Sequence, residues 1–220
     1  MESELVHYFE YVPYTEKNKN VYSPKLLALL LQICGYIDTV FKEMAKYQEF
    51  QKIQECQEIN KLEKKDYKRY NIKYARKAFE KIYKLSSNNG GYLVAKLSWI
   101  GDKEIIPFKA FATYKSPEWW HSYNNVKHTW SKALEKANIE NVLEALSGAF
   151  LLNVVHYLSI KLLGQLGHLK TVIGVSGTLQ DHFMPEYTFD QLLMESVSQL
   201  KPFPYDIRVE TPLFLFVLIK

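Results

Sequence analysis

The segment that most constrains this fold begins at Ser23-Pro24 and continues to about Gln48. Its apolar residues recur at three- and four-residue steps, the spacing that lines one face of an α-helix. Ser23 can accept a hydrogen bond from a free backbone N–H at a helix start, and proline suits the first turn. The segment predicts a long helix with one face in the core. The apolar positions are Leu26, Leu27, Leu30, Ile33, Ile37, Val40, Phe41 and Met44.

A second apolar pattern predicts the longest helix of the chain, from Asn138 to Leu163, ending near Gly164 or Gly167. Each of the two helices has one continuous apolar stripe, and neither is apolar all round. We therefore expect them to pack lengthwise as antiparallel members of a helical bundle. The second stripe consists of Ala133, Ala137, Val142, Leu143, Leu146, Ala149, Phe150, Val154, Tyr157 and Leu158.

Shorter patterns complete the predicted fold. Ser116-Pro117 repeats the serine-proline start of a helix, and segments on either side of Gly101 predict a β-hairpin. Residues 1–22 form a tyrosine-rich lead-in, and residues 49–66 are a solvated helical continuation or a loop. The remaining predictions are helices over residues 67–85 and 188–200, hairpin strands over 92–99 and 104–108, and terminal strands over 207–210 and 213–219.

We expect a single mainly α domain over residues 1–220, a helical bundle with a small β-hairpin and a short C-terminal strand pair. The 220 residues are 47% hydrophobic, which is enough for one substantial core. The hairpin is an insertion near residues 91–108, and the strand pair belongs to a C-terminal extension near residues 186–220.

Net charge and cysteine content limit the partners and the cellular compartment that we expect. The net charge of +4 is a mild basic bias that permits a polyanionic partner without requiring one. Cys34 and Cys56 form no CxxC motif, which fits a reducing compartment. The N-terminus lacks signal-peptide features, and the longest uncharged apolar run, Ala145 to Ile160, is shorter than the roughly 20 residues of a membrane span. We expect a cytoplasmic protein without a membrane segment.

Motifs for metals and common cofactors are absent from the sequence. His121 and His128 are seven residues apart, too far for the one-turn spacing of helical zinc sites, and no HExxH occurs. The chain has no phosphate-binding P-loop, no GxGxxG and no GxSxG. We therefore expect neither a metal nor another cofactor.

The Trp-rich segment, residues 116–130, contains three of the four tryptophans and two of the six histidines. Residues three and four apart are neighbours on a helix. Tyr123 and Lys127 then share one face with Trp130, while His121 and His128 share another with Asn124. The segment is the strongest candidate for a functional site.

The polar residues of this segment suggest a catalytic role. His128 is the candidate general acid or base, because histidine exchanges a proton near neutral pH. Lys127 could neutralise phosphate charge, and Asn124 could hold a tautomer or a ligand oxygen in place. A structural role with satisfied hydrogen bonds is the alternative for His128 and for Asn124.

The aromatic residues of the segment have two interpretations. Trp119, Trp120 and Tyr123 could stack on RNA bases, with His121 beside them, or they could anchor the helix in the core. The other histidines are interpreted as structural: they are His7, His156, His168 and His182.

The predicted helix over residues 67–85 has a basic polar face. This face is either solvated or directed at a polyanion. It consists of Lys68, Arg69, Lys73, Arg76, Lys77, Lys81 and Lys84.

The string Ser116-Pro-x-Trp-Trp-x-x-Tyr-Asn-x-x-Lys-His128, followed by an Ala/Leu-rich helix, resembles a group of uncharacterised prokaryotic proteins. More distantly it resembles the HEPN superfamily of helical bundles. The resemblance covers the helix from Tyr22 to Lys42 and residues 108 to about 163.

The resemblance implies an RNA-directed activity. HEPN ribonucleases have an arginine, then a polar residue, and a histidine four to six positions later. They cut RNA without metal, and many belong to toxin–antitoxin or phage-defence systems. Aligned on Asn124 and His128, the arginine position here is Tyr123, and tyrosine supplies no positive charge to a phosphate.

Two functional hypotheses remain open. The first is a HEPN-like RNA-binding protein or ribonuclease that uses His128, Asn124 and Lys127. The second is a catalytically inactive helical module that dimerises or binds an antitoxin-like protein partner. Because HEPN-like sites usually form across a two-fold axis, the resemblance implies a homodimer with the two Trp-rich segments facing each other.

Overall fold

The computed structural model describes residues 1–46, 54, 56–58, 61, 72–83, 85–86, 94–97, 103–129, 131–155, 169–175, 178–182, 206–210 and 214–218. The chain is mainly helical in these ranges. The helices are α1 Glu2–Tyr11, α2 Pro24–Ala45, α3 Ile72–Tyr83, α4 Glu118–Thr129 and α5 Ile139–Val155, with short 3₁₀ helices at Lys109–Thr113 and Leu134–Lys136. The strands are β1 Ala95–Leu97, β2 Glu104–Ile105, β3 Leu169–Val175, β4 Thr178–His182, β5 Asp206–Glu210 and β6 Phe214–Leu218.

Helix α2 begins as the sequence predicts. The Leu26 backbone N–H donates to Ser23 Oγ at 3.2 Å, and Pro24 occupies the first turn. The predicted apolar face is buried except for Leu27, which is half-buried against the core. By length and composition alone this helix could also cross a membrane, a property that apolar core helices share.

Helices α2 and α5 pack lengthwise, but they are parallel and the predicted antiparallel arrangement is wrong. Their N-terminal ends meet at an isolated bridge between Tyr22 and Asn138, where the Ile139 N–H also donates to the Val21 carbonyl at 3.0 Å. Tyr36, well beyond the first turns of α2, donates its hydroxyl proton to Asn153, far along α5. The long connection between the two helices lets the chain return to the same end of the bundle.

Helix α5 is the central helix of the molecule. Every residue from 141 to 152 is buried except Glu144, so the prediction of a single apolar stripe is wrong for this helix. It contacts α2, α4 and strands β1 and β6. A Cβ atom at Gly148 would lie 3.3 Å from Phe108 Cζ and 3.6 Å from Trp119 Cζ2, because these rings pack directly on the helix backbone.

The strands form one antiparallel sheet in the order β2-β1-β6-β5-β3-β4. The predicted hairpin is confirmed, with Ala95 opposite Ile105, and so is the C-terminal strand pair, with Arg208 opposite Val217. The β3–β4 hairpin was not predicted. Strand β1 pairs with β6, so the two predicted β features belong to the same sheet.

The N-terminal lead-in contains helix α1, which the sequence pattern did not predict. Leu5 and Phe9 are its buried residues, and Glu4 forms an ion pair with Lys25 of α2. Helix α3 falls within the predicted range of residues 67–85. The helix predicted over residues 188–200, most of residues 49–66, and Trp130, His156 and His168 lie outside the described residues.

Candidate functional site

Helix α4 contains most of the Trp-rich segment. The Pro117 carbonyl accepts hydrogen bonds from the Trp120 N–H at 3.1 Å and the His121 N–H at 3.2 Å, so the helix starts where Ser116-Pro117 predicts. At its other end, Thr129 Oγ1 donates to the Asn125 carbonyl at 2.9 Å. The helix packs against α5 on one side and against α2.

The buried face of α4 is aromatic. Trp119 is 0% exposed, and its Nε1–H donates to the Pro107 carbonyl at 2.8 Å. Its ring meets the edge of Phe108, with 5.9 Å between the ring centroids. A buried indole whose N–H has a partner is a stable core element. A base could reach this ring only if the core opened, so Trp119 is not a stacking residue in this structure.

Trp120 and Tyr123 continue the buried face. Their ring centroids are 5.1 Å apart, and both side chains are less than one-tenth exposed. Lys127 Nζ lies 5.3 Å from the centroid of the Tyr123 ring, which it covers on the solvent side. The packing therefore favours the anchoring interpretation for Trp120 and Tyr123 over base stacking.

The opposite face of α4 is polar and open to solvent. His121, Lys127 and His128 are exposed, and Asn124 is half-buried. Asn124 is one turn from each of the other three, so the four side chains form one continuous surface. The spacing predicts the grouping of His121, Asn124 and His128, whereas it places Lys127 with Tyr123. In the part of the chain that the structure describes, no hydrogen bond or ion pair holds the side chains of His121, Asn124 or His128. They are available to a ligand.

The position of this surface on the helix affects which ligands it favours. Lys127 and His128 lie in the last turn of α4, where the helix macrodipole is negative and attracts cations. The same dipole opposes an anion. A phosphate at this end therefore depends on the charge of Lys127.

The sequence pattern missed one titratable group, Glu144 of α5. The pKa of its carboxyl is raised to about 7, mainly by burial and further by the charges of Glu140 and Glu118, while Lys103 opposes the increase. A carboxyl that exchanges a proton near neutral pH is a candidate acid or base. The signal in the sequence is a single glutamate in the otherwise uncharged run from Val142 to Leu152, one turn after Glu140.

The thiols and the acidic groups do not form a metal site within the described ranges. No group of three or more His, Cys, Asp or Glu side chains is arranged to hold a metal ion there. Cys34 and Cys56 are buried thiols that form no disulfide within the described ranges, and burial raises the pKa of the Cys34 thiol well above its ordinary value.

Comparisons with protein-family models, with curated proteins and with solved structures found no match for this chain. Function is therefore inferred from the Trp-rich segment and the groups around it.

Proposed function

We propose that this protein is a cytoplasmic HEPN-like RNA-binding protein of a prokaryotic defence or toxin–antitoxin type, and that it cuts RNA without a metal ion. The observation that supports the proposal is the exposure of His128, with Lys127 adjacent and Asn124 one turn away. An acid or base must reach the substrate, and a histidine sealed in the core would not.

Each polar residue has a distinct role in this proposal. His128 takes the proton from the ribose 2′-hydroxyl as its oxygen attacks the phosphorus, and a proton then returns to the leaving 5′-oxygen. Lys127 offsets charge on the phosphate oxygens, and Asn124 orients His128 or a phosphate oxygen. Because Tyr123 occupies the position of the HEPN arginine and is buried, Lys127 is the cation of this site.

The proposal is tested with a labelled single-stranded RNA. Fluorescence anisotropy at low salt should show binding that weakens as salt rises, because phosphate contacts release counterions. His128→Ala should slow cleavage by about 10²–10⁴-fold, while the melting temperature stays close to that of wild type because the side chain is exposed. Wild-type protein that neither binds nor cuts the RNA at low salt would end the proposal.

A catalytically inactive interaction module is the second candidate. Trp119, Trp120 and Tyr123 support it, because their rings stabilise the core and leave no stacking surface. In this case the polar face of α4 binds a second copy of the chain or an antitoxin-like protein. Light scattering that shows a dimer at micromolar concentration, together with no effect of RNA, would favour this candidate. A monomer would count against dimerisation under both candidates.

A further inference from the structure

Arg76 of helix α3 is a buried cation. It is 8% exposed, whereas its neighbours Lys73 and Lys77 on the same helix are exposed. The residues of the predicted basic face therefore share a positive charge but differ in their exposure to solvent. Charged side chains are rarely this buried unless another group compensates the charge.

The hydrogen bonds of Arg76 use one side of its guanidinium group. Nη1 donates to the Tyr114 carbonyl, and the Tyr114 ring covers the group with its centroid 5.3 Å from Cζ. Nε is buried and has no acceptor. A guanidinium has five N–H donors, and the pair on Nε and Nη2 forms the fork that binds two oxygens of one anion.

No carboxylate balances this charge among the residues that the structure describes. Glu80 lies one turn further along α3, where an ion pair with Arg76 would be expected. Its two oxygens instead accept the Ser86 backbone N–H, at 2.9 Å, and the Ser86 hydroxyl. A buried cation without a counter-ion is unfavourable, so an anion that reached it would gain more than at the surface.

Two lysines are adjacent in sequence to Arg76 and to its partner Tyr114. Lys77 follows Arg76 on α3, and Lys115 follows Tyr114, whose carbonyl Arg76 binds; both lysines are exposed. Tyr114 has a positive φ of 59°, and its contacts with Arg76 hold this turn in place. The exposed lysines suit a ligand with more than one negative charge.

We propose that Arg76 is the centre of an anion site that binds a phosphate group through the Nε and Nη2 donors, with Lys77 and Lys115 contributing charge. A phosphate carries about −1.5 to −2 charges at neutral pH, against −1 for a carboxylate, and it presents the oxygen pair that the guanidinium fork requires. The site is separate from the polar face of α4 and does not depend on RNA cleavage there.

The test is a melting-temperature series in inorganic phosphate at constant ionic strength, balanced with chloride. At ten times its dissociation constant, phosphate should raise the melting temperature of wild type by about 3–6 °C. Phosphate also stabilises proteins by exclusion from their surface, so the difference between variants is the decisive quantity. Acetate at the same concentration should give a smaller increase in melting temperature than phosphate. Adenosine monophosphate should give an increase comparable to that of phosphate if the natural ligand is a phosphate ester.

Three variants complete the design. Arg76→Lys retains the charge but not the fork, and should lose the phosphate-specific increase. Lys115→Glu alters an exposed residue that leaves the fold intact, and should weaken phosphate binding by about threefold to tenfold. Lys77→Gln, which removes one flanking charge beside an intact fork, should reduce the increase less than Lys115→Glu, which reverses a charge, and less than Arg76→Lys, which removes the fork. If wild type and Arg76→Lys respond equally, or if Arg76→Lys does not fold and Lys115→Glu binds phosphate as tightly as wild type, the proposal is wrong.

Discussion

The two faces of helix α4 differ in almost every physical respect, although they alternate along the same dozen residues. The buried face is aromatic, donates the Trp119 Nε1–H to the Pro107 carbonyl and packs on the backbone of α5 near Gly148. The exposed face consists of His121, Asn124, Lys127 and His128, and its histidines and asparagine have no partner among the described residues.

This difference predicts that the aromatic face determines the stability of the protein and that the polar face determines ligand binding. Substitutions on the aromatic face should change the free energy of unfolding, because they remove apolar contacts and leave cavities. Substitutions on the polar face should change ligand binding and little else, because exposed side chains away from special features contribute within about 0.5 kcal/mol.

Trp119→Ala should cause the largest loss. It removes a fully buried indole and leaves the Pro107 carbonyl without its donor, so we expect about 3–5 kcal/mol of destabilisation in urea unfolding. His121→Ala, on the exposed face of the same helix, is the matched control and should remain within about 0.5 kcal/mol of wild type. Equal effects of the two substitutions would show that the faces are not distinct.

Glu144→Gln should show how the charge of Glu144 on α5 affects the stability of the folded protein. The pKa of Glu144 in the folded protein, about 7, lies above its ordinary value of 4.5. The protonated form is therefore favoured by folding, and this contribution is present below the ordinary pKa and is lost as pH rises through about 7. Relative to wild type, the glutamine variant should gain about 1–3 kcal/mol of stability between pH 5 and pH 8.

The pH series for this variant is measured by urea unfolding, with Glu140→Gln as the control. Glu140 contributes one of the charges that act on Glu144, so its substitution should reduce the pH dependence without removing it. Stability curves of wild type and Glu144→Gln that stay parallel from pH 5 to pH 8 would contradict the perturbed carboxyl.

Lys127→Gln should have the smallest effect on stability and a clear effect on RNA binding. The side chain is exposed and contributes one contact with the Tyr123 ring, so unfolding should change by about 0.5 kcal/mol or less. If Lys127 neutralises a phosphate, binding should weaken and the slope of log affinity against log salt should become shallower by about 1. An unchanged salt slope would remove Lys127 from the site.

Local signals in the sequence predicted the starts of helices α2 and α4. Ser23 caps α2 with its side-chain oxygen, and Pro24 and Pro117 supply a fixed φ at the starts of α2 and α4. The grouping of His121, Asn124 and His128 on one face follows from helix geometry alone. These features depend on few residues, all close in sequence.

Properties that depend on distant partners were not predictable in this way. The apolar stripe of α2 does not specify the direction of the helix that packs on it, and the parallel arrangement depends on the Tyr22–Asn138 and Tyr36–Asn153 contacts. Amphipathic rings fit either a core or a binding surface, so the sequence left both roles open for Trp119 and Trp120. The pKa of Glu144 depends in part on Glu118, which belongs to another helix.

The most direct test of the division between the two faces is an NMR titration of the protein with single-stranded RNA. The imidazole resonances of His121 and His128 should shift, because both rings are exposed on the proposed binding face. The indole N–H resonance of Trp119 should not move, because this proton is donated to Pro107 inside the core. A shift of the Trp119 resonance with unchanged imidazoles, or no shift of any of these resonances, would contradict the account.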